Sequence, residues 1–254
     1  SATNVLSCST TSISLTATGG GTYVWSGGLG TGTNAIVTSA GNYTVTVTNT
    51  AGCSATATIA ITANTLVPTL TLTNSTGVTQ ITCNTPSVSL SASGANSYSW
   101  SGGLGTLANA IATVAGNYSV TGTGTNGCSS TAAIAITINT IAPTAGINNN
   151  TGSTILTCTT TSVSLTATGG GSYAWSGGLG TGTNVLVTVP GNYSVTVTAT
   201  NGCASIGTLA VTQSTAAPTL TISATSTAIC ISQSATLLAT GANNYTWQPS
   251  ATVN

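Results

Sequence analysis

The chain repeats itself with a period of 75 residues. Cys8, Cys83 and Cys158 are 75 apart, as are Trp25, Trp100 and Trp175, and Cys53, Cys128 and Cys203. Only the last step is shorter: Cys158 to Cys230 and Trp175 to Trp247 are both 72. A fixed period means one supersecondary unit copied in tandem, so the chain must be an array of small, similar domains. The register divides it into 1–65, 66–140, 141–215 and 216–254. The first copy is short of its N-terminal strand and the fourth is truncated, so the sequence reads as a window on a longer array.

The third copy displays the unit most plainly. Val163, Leu165 and Ala167 alternate with Ser and Thr, the period of a half-buried strand. Gly169-Gly170-Gly171 turns the chain, and Tyr173 and Trp175 then share a face. Ser176-Gly177-Gly178-Leu179-Gly180 is a loop, a short strand follows from Asn184, and Pro190-Gly191 is a turn. Tyr193, Val195 and Val197 point one way, while Ser194, Thr196 and Thr198 point the other. Asn201-Gly202 is a hairpin signal, and Cys203 opens a last strand to about Thr212. Seven or so short strands with Gly and Pro punctuation predict an all-β fold: tandem Ig-like antiparallel β-sandwich domains. The short, proline-containing joins at Pro68, Pro143 and Pro218 limit bending and predict an extended rod. The predicted core holds Trp25, Trp100, Trp175 and Trp247 with Tyr43, Tyr118 and Tyr193.

Composition removes most chemistry. Lys, Arg, Asp, Glu and His are all zero. General acid–base catalysis needs a group that titrates near neutrality, so no catalytic residue can be assigned and the chain is not an enzyme. Nucleic-acid binding needs Lys or Arg, and calcium sites need carboxylates. No cofactor and no metal are expected. Apolar residues alternate with Thr and Ser, so no run is long enough for a membrane span. The glycine triplets lack a following helix and a lysine, so they are turns rather than phosphate loops.

The pattern Cys, Ser-Val-Ser-Leu-Thr-Ala-Thr, Tyr-x-Trp-Ser, Gly-Asn-Tyr-x-Val-Thr-Val-Thr and Asn-Gly-Cys resembles the tandem Ig-like and PKD-like repeats of large secreted surface adhesins and filaments of the Bacteroidota. The resemblance covers all four copies, and its firmest elements are Gly191 to Val197 and Asn201 to Cys203. Where PKD repeats carry an acidic turn after the Trp, this chain has Ser-Gly-Gly-Leu-Gly, which favours the broader Ig-like label. The resemblance implies an extracellular, cell-surface location.

The cysteines fall two per period and predict structural disulfides. No base is available to activate a nucleophilic thiol. Two connectivities are open. Pairing within a copy joins Cys8–Cys53, Cys83–Cys128 and Cys158–Cys203. In an Ig-type sandwich, however, the first cysteine of a copy lies at one end and the second at the other. That separation exceeds what a disulfide spans. Pairing between copies, Cys8–Cys128 and Cys83–Cys203, is therefore preferred.

Other features have plainer readings. The sequons at Asn42, Asn74, Asn117, Asn149, Asn192 and Asn244 arise readily in a chain rich in Asn and Thr. The Thr44, Thr46 and Thr48 ladder is the wet face of a sandwich strand rather than an ice-binding array, because sandwich sheets twist. Tyr23 and Trp25 belong to the core rather than to a glycan platform.

The sequence thus points to a structural extracellular protein, an array building a bacterial surface filament or adhesin stalk. Its partners are copies of itself, because an uncharged surface without Lys on its strand edges favours association. The alternative is a glycan-binding cell-adhesion module with surface glycans as partners.

Overall fold

The computed structural model describes residues 4–248. Apart from one 3-10 turn at Ser26–Gly28, the regular elements among the described residues are strands. The first copy has β1 (Val5–Ser7), β2 (Ile13–Thr16), β3 (Thr22–Trp25), β4 (Asn34–Val37), β5 (Gly41–Thr48) and β6 (Ser54–Asn64). The second has β7 (Thr71–Asn74), β8 (Gln80–Thr82), β9 (Val88–Ser93), β10 (Ser97–Trp100), β11 (Asn109–Ala112), β12 (Gly116–Thr123) and β13 (Ser129–Asn139). The third has β14 (Gly146–Asn149), β15 (Ile155–Thr157), β16 (Val163–Thr168), β17 (Ser172–Trp175), β18 (Asn184–Val187), β19 (Gly191–Thr198) and β20 (Ala204–Ser214). The fourth has β21 (Thr221–Ala224) and β22 (Leu237–Thr240).

The chain divides into two compact units. One takes the residues up to Ile141 together with Thr200–Cys203; the other takes Ala142–Ala199 and the residues from Ala204 on. In the first unit, sheets β1-β6-β5-β3 and β2-β4 enclose one core, and sheets β10-β12-β13-β8 and β11-β9-β7 enclose a second. In the second unit, β15-β20-β19-β17 and β14-β16-β18 enclose a third, and β21 pairs with β22. Each full copy is an Ig-like β-sandwich of seven strands.

Alternation decides which residues go inside. Val88, Leu90 and Ala92 of β9 are buried, while Ser89 and Ser91 between them are half-buried and Ser93 is exposed. They meet Trp100, Val120 and Ile136 of the opposing sheet. Pairing is antiparallel except for one short parallel pair in each of the first three copies: Val5↔Thr62, Gln80↔Thr137 and Ile155↔Thr212. Four strands separate β8 from β13, so no tight turn imposes an antiparallel match there.

Two aromatic arrangements recur and lock each sandwich. Trp25, Trp100 and Trp175 are 6%, 6% and 7% exposed. Their Nε1–H groups donate to the carbonyls of Gly32 (2.9 Å), Leu107 (2.8 Å) and Gly182 (2.8 Å) in the loop that follows. The glycine loop thus folds back to satisfy the one polar atom of a buried indole. The hydroxyls of Tyr43, Tyr118 and Tyr193 donate to the carbonyls of Ser39, Val114 and Val189, four residues upstream. That is the tyrosine-corner arrangement of Ig-type sandwiches.

Two parts of the predicted core need correction. Tyr43 and Tyr193 are half-buried and pack against their cores without being enclosed, whereas Tyr118, with the same hydroxyl bond, is buried. Trp247 is 51% exposed. The strands that cover the other three indoles have no counterpart among the described residues after β22.

Candidate functional site

The chemistry-bearing side chains gather where the hairpin turn of one copy meets the start of the copy before it. Turn Gly124–Cys128 joins β12 to β13, closing on the pair Thr123↔Ser129. Its backbone is held by Gly124 N–H to the Cys128 carbonyl (2.8 Å) and Gly127 N–H to the Gly124 carbonyl (3.0 Å). Gly127 is left-handed (φ 77°) and Asn126 is not, so the Asn-Gly pair forms a longer turn than the two-residue type I′ form.

Two disulfides are present. Cys8 bonds Cys128 with Cα atoms 5.0 Å apart, and Cys83 bonds Cys203 with Cα atoms 5.1 Å apart. Both span 120 residues of sequence. The pairs Cys8–Cys53, Cys83–Cys128 and Cys158–Cys203 do not form; Cys53, Cys158 and Cys230 are free and exposed. Cys128 and Cys203 are buried. In the chain-entropy account, loops this long restrict the unfolded chain by about 4–5 kcal/mol each.

A polar clamp accompanies each disulfide. Asn126 Nδ2 donates to Asn64 O (3.2 Å), Asn64 Oδ1 (3.1 Å) and Leu66 O (2.9 Å), fixing the end of β6 and the following linker. Its Oδ1 accepts from the Cys128 N–H at 3.1 Å. Asn201 repeats the arrangement on Asn139 and Ile141, and its Oδ1 accepts from the Cys203 N–H at 3.0 Å. Ser130 Oγ donates to the Pro68 carbonyl at 2.7 Å, as Ser205 Oγ does to the Pro143 carbonyl. One carboxamide therefore ties linker and cysteine together.

Glycine is required beside each staple. A Cβ on Gly127 would sit 2.6 Å from the Ser9 Cβ, and one on Gly202 would overlap the Asn84 carboxamide. The first copy lacks the device. Ala51 and Ala55 stand where Asn126 and Ser130 stand, and Asn49 Oδ1 instead accepts from the N–H groups of Ala51 and Cys53. Sequence reasoning missed these clamps. The signal was available: of the hairpin-turn cysteines, the bonded Cys128 and Cys203 follow Asn-Gly, and the unbonded Cys53 follows Ala-Gly.

The remaining candidates carry no site. Tyr23 and Trp25 are both buried. Thr44, Thr46 and Thr48 are half-buried and pair across strands, with Thr44 Oγ1 2.8 Å from Thr58 Oγ1 and Thr48 Oγ1 2.9 Å from Ser54 Oγ. Sequon residues Asn42, Asn117 and Asn192 are exposed one residue into β5, β12 and β19, and Asn244 is exposed near Trp247. Asn74 and Asn149 are half-buried turn formers whose Oδ1 atoms accept from Thr76 and Thr151 N–H. Among the described residues no three potential metal-ligating side chains come together, and no helix is long and apolar enough to cross a membrane.

No protein-family model matches the chain, and no curated protein matches it. Solved structures similar to it include a Ca2+-stabilised adhesin that helps an Antarctic bacterium reach out and bind ice. That match has 18% identity over 86% of this chain and 74% of that one, with a TM-score of 0.46. Another is a 1.5-MDa bacterial ice-binding adhesin, 19% identical over 69% of this chain and 74% of that one, TM-score 0.38. A third is the Bacteroides ovatus mixed-linkage glucan utilisation protein SGBP-B, bound to a heptasaccharide. It is 14% identical over 84% of this chain and 66% of that one, TM-score 0.20. At these identities the likeness is one of fold.

Proposed function

We propose that this chain is part of a structural, extracellular array. Its Ig-like repeats, bounded at 1–65, 66–140, 141–215 and 216–254, build a bacterial surface filament or adhesin stalk of the Bacteroidota type. The observation that carries this reading is the twice-repeated staple. Cys8–Cys128 with Asn126, and Cys83–Cys203 with Asn201, each combine a covalent bond, a linker clamp and a close glycine contact. A staple between copies stops the linker from opening under tension, which suits a load-bearing element. Stability of such an array is the sum of local cores and neighbour terms.

The uncharged surface supports self-association. Ile36, Leu107, Ile111, Leu186 and Ile206 are exposed on strands or adjoining loops, and no charge opposes lateral contact. The test is negative-stain microscopy together with sedimentation of the purified chain. Filaments or laterally associated bundles support the reading; monodisperse monomers at all concentrations and ionic strengths refute the self-associating part.

A second reading is a glycan-binding adhesion module. The observation favouring it is the exposed pair Tyr245 and Trp247, beside Pro218 and Leu220 in a depression of about 200 Å³. The equivalent aromatics of the other copies are buried or half-buried, which ranks this reading second. Binding to a panel of immobilised glycans, lost on Trp247→Ala, would raise it to first.

A further inference from the structure

One sheet edge is left open in each of the first three copies. β4, β11 and β18 lie at the rim of their sheets and pair only with β2, β9 and β16. The phase of each ladder says which backbone groups face outward, because hydrogen-bonded and non-hydrogen-bonded residue pairs alternate along an antiparallel pair. The Ala92 N–H donates to the Ala108 carbonyl at 2.8 Å, as Ala17 does to Thr33 and Ala167 to Thr183. Two residues further on, Ala110 and Leu90 are again a hydrogen-bonded pair, so Asn109 and Ile111 turn their N–H and C=O groups away from β9. The same phase turns Asn34 and Ile36 away from β2, and Asn184 and Leu186 away from β16. Among the described residues no other backbone group takes up these donors and acceptors. The Asn34 and Asn184 carboxamides leave the edge bare: their Oδ1 atoms accept from Thr16 Oγ1 (2.9 Å) and Thr166 Oγ1 (2.6 Å) on the neighbouring strand.

The other sheet covers the corresponding edge. Trp25, Trp100 and Trp175 end β3, β10 and β17, and their backbone N–H groups donate to the carbonyls of Gly30 (3.0 Å), Gly105 (2.9 Å) and Gly180 (2.9 Å). The glycine loop thus folds over that rim in every one of these copies. The devices that usually blunt an exposed edge are missing from β4, β11 and β18. They hold no charged residue and no proline, and each pairs residue for residue without a bulge.

An apolar side chain stands at each open edge. Ile36, Ile111 and Leu186 recur at the 75-residue period and are 64%, 59% and 59% exposed. Their cross-strand neighbours are Ser14, Ser89 and Ser164, too short to cover them. A second copy of this chain is the partner that fits. The edge offers no counter-charge, so a charged partner strand would lose hydration without return, whereas this chain has no charge to desolvate. A second copy also brings the same edge three times, and linked weak contacts reinforce one another.

We propose that two copies of this chain join edge to edge, β11 of one running antiparallel to β11 of the other, with Asn109 of each opposite Ile111 of its mate. The proposal rests on the self-association reading and names the surface that carries it. This register is two-fold symmetric about Ala110, as an isologous contact requires. Asn109 and Ile111 of both strands then exchange four N–H···O=C bonds, all from groups otherwise left to water. The two Ile111 side chains become diagonal neighbours on one face, within reach of each other. β4 and β18 carry the same groups in the same phase and pair in the same way.

The test is amide hydrogen exchange of the purified chain, read residue by residue below and above the concentration at which sedimentation shows association. Protection of the Asn109 and Ile111 amides should rise at least about tenfold on association. Asn34, Ile36, Asn184 and Leu186 should follow, while Ala110, already bonded to β9, changes less. A triple variant, Ile36→Pro with Ile111→Pro and Leu186→Pro, replaces three outward N–H groups, keeps an apolar ring at each site and spares the ladders to β2, β9 and β16. It should melt cooperatively and stay monomeric where the native chain associates. Association without added protection at these amides would overturn the proposal and leave the self-association reading intact, as would undiminished association of the folded proline variant. Monomers of the native chain at every concentration would overturn both. If the proline variant does not fold, exchange on the native chain decides alone.

Discussion

The Nδ2 of Asn126 lies 2.9 Å from the carbonyl oxygen of Leu66, 60 residues earlier in the chain. The same atom of Asn201 lies 3.0 Å from the carbonyl oxygen of Ile141, again 60 residues away. A carboxamide offers two donors and an acceptor. Here the donors hold the linker and the acceptor holds the cysteine N–H, so the turn, the linker and the staple are one hydrogen-bonded unit.

Asn201→Ala removes those bonds and leaves the Asn139 and Ile141 carbonyls to water. The expected cost is about 1 kcal/mol, with faster reduction of Cys83–Cys203 by dithiothreitol. Timed alkylation and mass spectrometry of Cys203 check this. An unchanged reduction rate would mean that the clamp contributes nothing to the staple.

Gly127→Ala and Gly77→Ala separate backbone strain from collision. Both residues are left-handed, with φ of 77° and 79°. Only Gly127 has a neighbour in the way, at Ser9; nothing lies within 4 Å of a Cβ on Gly77. Each substitution costs about 1–2 kcal/mol for the left-handed backbone. Gly127→Ala should cost more and lower the fraction of Cys8–Cys128 formed on refolding. Equal thermal shifts for the two variants would contradict the close contact.

Much of the sandwich was legible because its signals are local. Alternation in Val163 to Ala167 marks a strand face, and Gly169-Gly170-Gly171 marks a turn. Gly171 illustrates the physical reason: its left-handed backbone presses the site of a Cβ onto the Thr198 carbonyl. The Asn-Gly-Cys spelling marked where the clamps lie but not what they hold, because Asn201 reads as turn chemistry until its partner, far away in sequence, is known. Cysteine chemistry alone left two connectivities, since pairing depends on which ends of two sandwiches meet. The misreading of Trp247 has a similar origin. Its period matches the buried indoles, but burial requires strands that the periodicity of one residue cannot supply.

Trp175→Phe should separate apolar packing from the hydrogen bond. Phenylalanine retains most of the buried ring but leaves the Gly182 carbonyl without its 2.8 Å donor. The expected loss is about 1–3 kcal/mol, against about 3–5 kcal/mol for Trp175→Ala. Urea denaturation followed by far-UV circular dichroism checks the order. Equal losses would assign the whole effect to the hydrogen bond.

Stability should be flat with pH and indifferent to calcium. The slope of unfolding free energy with pH is proportional to the difference in protons bound by the unfolded and folded chains. With no Asp, Glu, His, Lys or Arg, no side chain has an ordinary pKa between about pH 4.5 and about pH 6.5, so neither state takes up or releases protons there. The difference is zero and no sign of slope is favoured, unlike a carboxylate-rich domain, which loses stability as pH falls. Calcium can stabilise only if it binds the folded form more tightly. The available ligands are neutral amide and hydroxyl oxygens, without the carboxylates that hold the hard cation. Scanning calorimetry between those pH values, with millimolar calcium and then with EDTA, should give melting midpoints within about 1 °C of each other. A rise of several degrees with calcium would mean that neutral oxygens of this chain form a cation site.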